Sequence, residues 1–230
     1  MIKAIFYDFN GVIIDDEKLQ MEAYKEVLHE QGIELSEADY YGALGLDDKG
    51  FVRYAFGLAK KELTDSLLQT VLTGKGILHR KMVEAELPLF PGVVTFLKAT
   101  ARRYQLGIVS MATLHEIEYA LNRAKLRDLF TVVVSSEDVK ACKPAPDCYL
   151  VGLQKLNDVR QKARQLPLLP SECLVIEDSP PGVEAGRTAG MRTVGVTNTV
   201  SDRELRAVGA EVVTANLADW TVEAVHHLFD

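Results

Sequence analysis

Cysteine is scarce in this sequence, and its three cysteines, Cys142, Cys148 and Cys173, form no C-x-x-C pair. An odd number of cysteines without such a spacing does not indicate a disulfide framework. The five histidines include no H-x-x-x-H pair, which is a common spacing for zinc ligands. We therefore expect neither a disulfide-stabilised protein nor a zinc site.

Long hydrophobic runs and an excess of positive charge are also missing. No apolar run approaches the roughly 18 residues that a membrane span needs, and the first acidic residue, Asp8, comes too early for a signal peptide. The 26 basic and 33 acidic residues give a formal charge of −7, which suits neither nucleic acid nor an anionic membrane as the main partner. We therefore expect a cytosolic protein with a small-molecule partner. A monomer is favoured, although the sequence does not determine the oligomeric state.

The 230 residues, 47% of them hydrophobic, suit one large domain or a core domain with a smaller insertion. Short apolar runs predict buried parallel strands at Ala4–Tyr7, Leu106–Val109, Thr131–Val134, Cys173–Ile176 and Thr193–Val196. Helices are predicted between most of them, at Pro91–Arg103, Leu114–Ala124, Asp147–Leu156 and Gly182–Ala189. This alternation predicts an α/β sheet covered by helices on both faces.

One long region interrupts the alternation, because Glu17–Leu87 contains no convincing strand. Its signals are helical: Ser36 followed by Asp39 has the form of a capping box, and Thr64 precedes a run of leucines and valines. We therefore predict an all-helical insertion within the α/β core. The predicted organisation is a core of residues 1–16 and 88–230, a helical domain of residues 17–87, and a second, smaller insertion at Asp158–Pro170.

Polar residues follow the ends of the predicted strands. Asp8 comes directly after the first strand, Ser110 after the second, and Glu177 with Asp178 after the fourth. Because the carboxyl ends of parallel strands meet at one edge of a sheet, these side chains are expected to converge there. Lys143 follows the third strand after a longer connection and could add a positive charge to the same edge.

Such a group suits phosphoryl transfer. Asp8 and Asp178 offer the hard oxygen ligands that Mg²⁺ prefers, and a carboxylate can attack phosphorus to form an aspartyl-phosphate. Lys143 and Ser110 would stabilise the transferred group, and the amides of Phe9–Val12 would complete its cradle. Taken singly, each residue has an ordinary structural explanation, such as a helix N-cap or a surface lysine. As a loop carboxylate, Asp8 is expected to face solvent.

The order of these residues resembles that of the haloacid dehalogenase superfamily. Residues Asp8–Asp15, D-F-N-G-V-I-I-D, resemble its first motif, D-x-D-G-V-x-x-D. Ser110 matches the second motif, Lys143 in K-P-A-P-D the third, and Glu177 with Asp178 the fourth. The resemblance covers essentially the whole chain, and the helical insertion is similar to the cap of the β-phosphoglucomutase-like branch. It implies a Rossmann-like, doubly wound parallel sheet with an inserted all-helical cap.

The resemblance also implies an activity and a role for each matched residue. The activity is that of a Mg²⁺-dependent phosphatase or phosphomutase that acts on a small phosphorylated metabolite through an aspartyl-phosphate on Asp8. The implied catalytic residues are Asp8, Asn10, Ser110 and Lys143. The implied metal ligands are Asp8, Asp178 and the backbone carbonyl of Asn10, with Glu177 beside them. Substrate contacts are expected from Lys49 in the cap and from Met111, which follows Ser110.

Asn10 departs from the family pattern, because phosphatases and mutases of this branch usually carry Asp there. That Asp protonates the leaving group and later activates water, and general acid–base help of this kind is worth on the order of 10²–10⁴ in rate. Three explanations stay open: natural use of acyl or anhydride phosphates, an engineered substitution that traps a complex, or a phosphate-ligand binder with little turnover. Asp15, Asp16 or His115 could also replace the missing acid.

Two other chemistries of the superfamily fit this sequence less well. Haloacid dehalogenases need no metal and usually lack an acidic fourth motif such as Glu177 with Asp178. Phosphonate hydrolysis uses a cap lysine as a Schiff base, and none of Lys49, Lys60 and Lys61 can be assigned that role. Outside enzymes, the main alternative is a catalytically weak protein that binds a phosphate ligand.

Overall fold

The computed structural model describes Met1–Phe229, which form two compact units. One unit consists of Met1–Asp15 and the chain from Leu89 onward, and the other is Asp16–Pro88. Within the described residues the strands are β1 (Ala4–Tyr7), β2 (Gln105–Val109), β3 (Phe130–Val134), β4 (Cys173–Glu177), β5 (Arg192–Val196) and β6 (Val212–Thr214). All of them belong to the first unit.

The strands form a single parallel sheet in the order β3-β2-β1-β4-β5-β6. Every residue of β1 is buried, as its central position requires. Successive side chains of a strand point to opposite faces, and here Phe6 packs in a core cluster with Tyr149 and Leu153, whereas Tyr7 meets Phe96 edge to face. The sheet is therefore covered on both faces, and the predicted α/β fold class is confirmed.

The helices of the first unit follow the predicted alternation with some differences. They are α5 (Val93–Thr100), α6 (Leu114–Arg123), α7 (Asp147–Lys162), α8 (Pro180–Thr188), α9 (Asp202–Ala207) and α10 (Val222–Phe229). The helix predicted from Pro91 begins later, because Gly92 takes a left-handed conformation with φ of +77° just before it. The predicted insertion at Asp158–Pro170 is wrong in its first part, since α7 continues through Lys162 on a solvent-facing polar surface.

The second unit is all-helical and has its own core. Its helices are α1 (Glu17–His29), α2 (Glu37–Tyr41), α3 (Asp48–Leu58) and α4 (Asp65–Ala85). Ser36 and Thr64 are N-caps, because Ser36 accepts from the Asp39 amide at 3.1 Å and Thr64 from the Leu67 amide at 3.2 Å. At Ser36 the Asp39 carboxylate accepts from the serine hydroxyl, so the observed feature is an N-cap in place of the predicted capping box. Aromatic packing stabilises the bundle, because the rings of Tyr24 and Phe51 have centres 4.1 Å apart.

Among residues 1–229, no helix combines the length and the apolar character needed to cross a bilayer.

Candidate active site

The ends of neighbouring strands bring the predicted residues to one edge of the sheet. β1 lies between β2 and β4, with Tyr7 in register with Ile108 on one side and Ile176 on the other. The Asp8 amide continues the ladder by donating to the Ile176 carbonyl at 3.0 Å, and the Ser110 amide donates to the last carbonyl of β3 at 3.0 Å. The backbones of Asp8 and Ser110 are thus fixed by the sheet itself.

The loop after Asp8 turns at Gly11, whose φ is +74°. A Cβ there would collide with Oδ2 of Asp178, so both the backbone conformation and the close approach require glycine. The Phe9 amide donates to Oδ1 of Asp8 at 2.7 Å, and the Gly11 amide donates to the Ile14 carbonyl at 2.9 Å. Both amides donate to acceptors within the protein, so fewer amides of the Phe9–Val12 loop are available to bind a phosphate than the sequence predicts.

Lys143 is buried beside Asp8, as the strand-end argument predicts. Its Nζ lies 3.1 Å from Oδ2 of Asp8 and 2.6 Å from Oε1 of Glu177. It also stands 5.5 Å from the centre of the Tyr149 ring. Burial alone would lower the pKa of Lys143, but the carboxylates of Asp8 and Glu177 outweigh it and raise the pKa above its ordinary value. The side chain is therefore a fixed cation at the edge of the sheet.

Glu177 holds that lysine in place. It is fully buried, and its Oε1 accepts hydrogen bonds from Lys143 and from the Tyr149 hydroxyl at 2.7 Å, while Oε2 accepts from the Ser179 hydroxyl at 3.1 Å. A Cβ at Gly182 would collide with this carboxylate, so α8 can approach it only with glycine there. A buried charge needs such partners, and they leave Glu177 little capacity to bind a metal.

Asp8 is only 8% exposed, which corrects the expectation that it faces solvent. Burial and the Glu177 carboxylate raise the pKa of Asp8 to about 7, although Lys143 and the Phe9 amide act to lower it. Carboxylate oxygens of Asp8, Glu177 and Asp178 lie within 4.8 Å of one another. This set of hard oxygen donors fits Mg²⁺, and with Glu177 engaged elsewhere, Asp8 and Asp178 would hold the ion.

The raised pKa of Asp8 predicts that Asp8→Asn stabilises the metal-free protein at neutral pH. The folded state binds the Asp8 proton more tightly than the unfolded state. Protonated Asp8 therefore contributes its full stability below about pH 4, and the parent protein loses that contribution as the pH rises through about 7. Asparagine mimics the protonated carboxyl at every pH. Urea unfolding in EDTA should show a gain on the order of 1–3 kcal/mol at pH 8 and almost none at pH 4. An unchanged pH dependence would contradict the burial argument.

Two residues of the loop after β5 also lie at the site and were not predicted from the sequence. The Thr199 hydroxyl donates a hydrogen bond to Oδ2 of Asp178, and the side-chain amide of Asn198 donates to the Gly11 carbonyl at 2.7 Å. A Cβ at Gly11 would also meet Thr199 at 2.9 Å, so this loop, Gly11 and Asp178 pack in direct contact. Thr199 therefore orients a carboxylate of the acidic cluster.

Asn10 lies at the same edge and is half-buried. The Ser110 hydroxyl donates a long hydrogen bond of 3.4 Å to Oδ1 of Asn10. The same hydroxyl accepts a hydrogen bond from the Ala112 amide at 3.1 Å. The structure therefore places the asparagine that departs from the family pattern next to the predicted phosphate-binding serine.

The remaining predicted residues differ in their burial. Met111 is 8% exposed and packs in the core cluster with Tyr149, whereas Lys49 is exposed on α3 of the helical unit. Their substrate contacts stay predictions. Among the suggested replacement acids, Asp15 and His115 are exposed. Asp16 is buried in the helical unit, with its Oδ2 2.8 Å from His79.

A parallel sheet with an aspartate, a lysine and an acidic pair at the carboxyl ends of its strands places these polar groups where α/β proteins bind their ligands. The family model of the haloacid dehalogenase-like hydrolases matches residues 5–196, and the chain belongs to this family. Members of the family generally use Mg²⁺, which agrees with the donor set of the acidic cluster.

Individual relatives support this membership. The phosphorylated carbohydrates phosphatase of Thermotoga maritima is 28% identical over 203 residues, covering 87% of this chain and 88% of that protein. Hexitol phosphatase B of Escherichia coli is 27% identical over 230 residues, covering 96% of each. The crystal structure of β-phosphoglucomutase from Clostridium difficile has the same fold, with a TM-score of 0.86 at 20% identity over 100% of this chain and 97% of that one.

Proposed function

We propose that the protein is a Mg²⁺-dependent phosphatase or phosphomutase that forms an aspartyl-phosphate on Asp8. The observation that carries this proposal is the position of Asp8, 3.1 Å from the buried Lys143 cation and within 4.8 Å of the Asp178 carboxylate. The proposed substrate is a small phosphorylated sugar or polyol. That class is supported by relatives whose names specify phosphorylated carbohydrates and hexitols.

In the proposed reaction, a carboxylate oxygen of Asp8 attacks phosphorus while the bond from phosphorus to the leaving oxygen breaks. Lys143, kept cationic by Glu177, balances charge on the transferred group, and the Ser110 hydroxyl donates to one of its oxygens. Bound Mg²⁺ would supply further positive charge to the same group. Water then cleaves the aspartyl-phosphate, or a second hydroxyl of the substrate accepts the phosphoryl group in a mutase.

Asn10 should slow the two steps of this reaction that transfer a proton, the departure of the leaving group and the attack of water. Its amide can accept a hydrogen bond from Ser110, but it neither gives a proton to a leaving alkoxide nor takes one from attacking water at neutral pH. Transfer from donors with good leaving groups should therefore survive, while alkyl phosphates should react slowly. The same observation favours the second candidate function, a catalytically weak protein that binds a phosphate ligand.

A panel of phosphate esters tests the proposed function. It should contain sugar phosphates, polyol phosphates, an acyl phosphate and a folded phosphoprotein, each assayed with Mg²⁺ and with EDTA. We expect Mg²⁺-dependent turnover of small donors and none of the phosphoprotein. Saturable binding of a donor without phosphoenzyme formation or turnover would favour the binding protein, and activity indifferent to EDTA would favour metal-free chemistry.

Removing the Asp178 carboxylate should weaken metal binding. Asp178→Ala deletes one of the two carboxylates available to Mg²⁺, so activity should be lost or should require a much higher Mg²⁺ concentration. Mn²⁺ binding followed by electron paramagnetic resonance measures the metal directly, and Asp219→Ala, which changes an exposed aspartate, is the control. Equal Mn²⁺ affinity in Asp178→Ala and the parent protein would contradict this assignment.

Thr199 should matter through its hydroxyl. Thr199→Val keeps the shape of the side chain but removes the hydrogen bond to Asp178, and losses of such supporting bonds typically cost about 10–100-fold in metal affinity. Thr199→Ser keeps the hydroxyl and should restore most of the affinity. The comparison is made by Mn²⁺ titration and by the Mg²⁺ dependence of turnover. If valine and serine behave alike, Thr199 acts only through packing.

A further inference from the structure

A concave surface lies at the opposite edge of the sheet from Asp8. It is a pocket of about 460 Å³ at the amino ends of β1 and β2, and its cationic lining residues are Lys3, Arg102, Arg103 and Arg160. Lys3 immediately precedes β1, which is four residues long, so the pocket and Asp8 are separated by the length of the strand, about 3.3 Å per residue. The pocket is therefore distinct from the candidate active site.

The pocket, defined by those four cations, gathers positive charge in a chain whose net charge is −7. Among residues 1–229, no acidic residue lines it. Lys3 forms an ion pair with Glu172 at 2.6 Å, but within residues 1–229 no acidic side chain pairs with Arg102, Arg103 or Arg160. The three arginines therefore contribute positive charge to the pocket that could attract an anion.

Arg160 is oriented before any ligand arrives. Its Nε donates to the Leu166 carbonyl at 2.8 Å, and its Nη1 donates to Oε1 of Gln105 at 2.5 Å. These bonds fix the plane of the guanidinium while using only two of its five N–H groups. Because Gln105 begins β2 and also lines the pocket, the arginine is tied to the rigid sheet at the site where it would bind a ligand.

Helix capping explains only part of this charge. Arg102 and Arg103 follow the carboxyl end of α5, where cations are favoured by the helix dipole. Lys3 precedes β1 and Arg160 lies on α7. The dipole of α5 therefore does not explain why these two cations also line the pocket. Three separate chain segments thus bring cationic side chains to one pocket.

We propose that this pocket binds a small phosphate-bearing anion at a site separate from Asp8. Guanidinium groups match phosphate oxygens through paired N–H donors, which favours phosphate over a simple halide. The volume of about 460 Å³ falls within the range of small-molecule sites, so the ligand can be larger than a single phosphate. The proposal does not depend on the chemistry assigned to Asp8.

The test is a titration of the ¹⁵N-labelled full-length protein with inorganic pyrophosphate, in EDTA and at constant ionic strength. Saturable shifts are expected at the amides of Lys3, Arg103 and Gln105, with an isotherm separate from any at Ser110. The variant is Arg102→Gln/Arg103→Gln, which changes two exposed side chains and should weaken binding about tenfold or more at the first group of amides.

The control Arg123→Gln/Arg203→Gln removes the same charge from exposed positions elsewhere and should leave the affinity nearly unchanged. Equal weakening in both double variants would show that only net charge matters and would overturn the proposal. So would shifts confined to Ser110 and its neighbours, or parent-like affinity in Arg102→Gln/Arg103→Gln. Spectra without ligand confirm that each variant is folded.

Discussion

Asp8→Asn should reduce phosphoryl transfer to the buffer background for every donor. The substitution keeps the size of the side chain, and its amide oxygen can still accept the hydrogen bond from the Phe9 amide. An amide oxygen is not a nucleophile that forms a stable bond to phosphorus, however. It also removes the charge that faces Lys143 at 3.1 Å and one of the two carboxylates available to Mg²⁺. Loss of an essential nucleophile costs on the order of 10⁴ or more in rate.

The measurement is turnover and rapid-quench phosphoenzyme formation at saturating Mg²⁺, with Asp128→Asn as the matched control. Asp128 is an exposed aspartate outside the site, so its variant should keep the parent rate. The Asp8 variant should remain folded, because the raised pKa of Asp8 means that a neutral amide at this position stabilises the metal-free protein at neutral pH. Substantial Mg²⁺-dependent turnover by folded Asp8→Asn would exclude covalent catalysis through this residue.

The central sheet could be predicted from sequence because its inner strands are unbroken apolar runs. β1, β2 and β4 are buried on both faces, and a strand of that kind has no polar alternation to confuse its assignment. β6 was missed because it has three half-buried residues and lies at the edge of the sheet. The end of α7 was missed because its last turn is polar and lacks a core-facing pattern. Cytosolic location and monomeric state stay predictions, since neither follows from the fold.

The residues of the site also differ in how well they could be predicted from the sequence. Asp8, Ser110 and Asp178 follow directly from strand ends, since the sheet fixes where each strand stops. Thr199 and Asn198 were missed, although they lie just after the predicted strand Thr193–Val196 and the same rule would have found them. The burial of Asp8 could not be predicted, because it depends on packing between segments that are distant in the sequence.

Asn10→Asp should accelerate hydrolysis of alkyl phosphates by about 10²–10⁴ and should change phosphoryl transfer from an acyl phosphate far less. A sugar or alkyl phosphate expels a basic alkoxide that needs a proton, whereas an acyl phosphate expels a stable carboxylate. The new carboxyl would occupy a half-buried position beside the Ser110 hydroxyl, where it can exchange protons with solvent. Asn10→Ala, which removes the amide without adding an acid, should give no such acceleration.

The same missing group should also slow the second half of the reaction. Water that attacks the aspartyl-phosphate needs a base, and Asn10 provides none, so the parent protein should accumulate phospho-Asp8 when given a labelled acyl phosphate. Asn10→Asp should shorten the lifetime of that phosphoenzyme, and rapid-quench trapping measures both quantities. An equal response of both donor classes, or the absence of phosphoenzyme in the parent, would mean that another residue carries the proton. Asp15, Asp16 and His115 would then be the first residues to substitute, because each has an acid–base side chain and Asn10 does not.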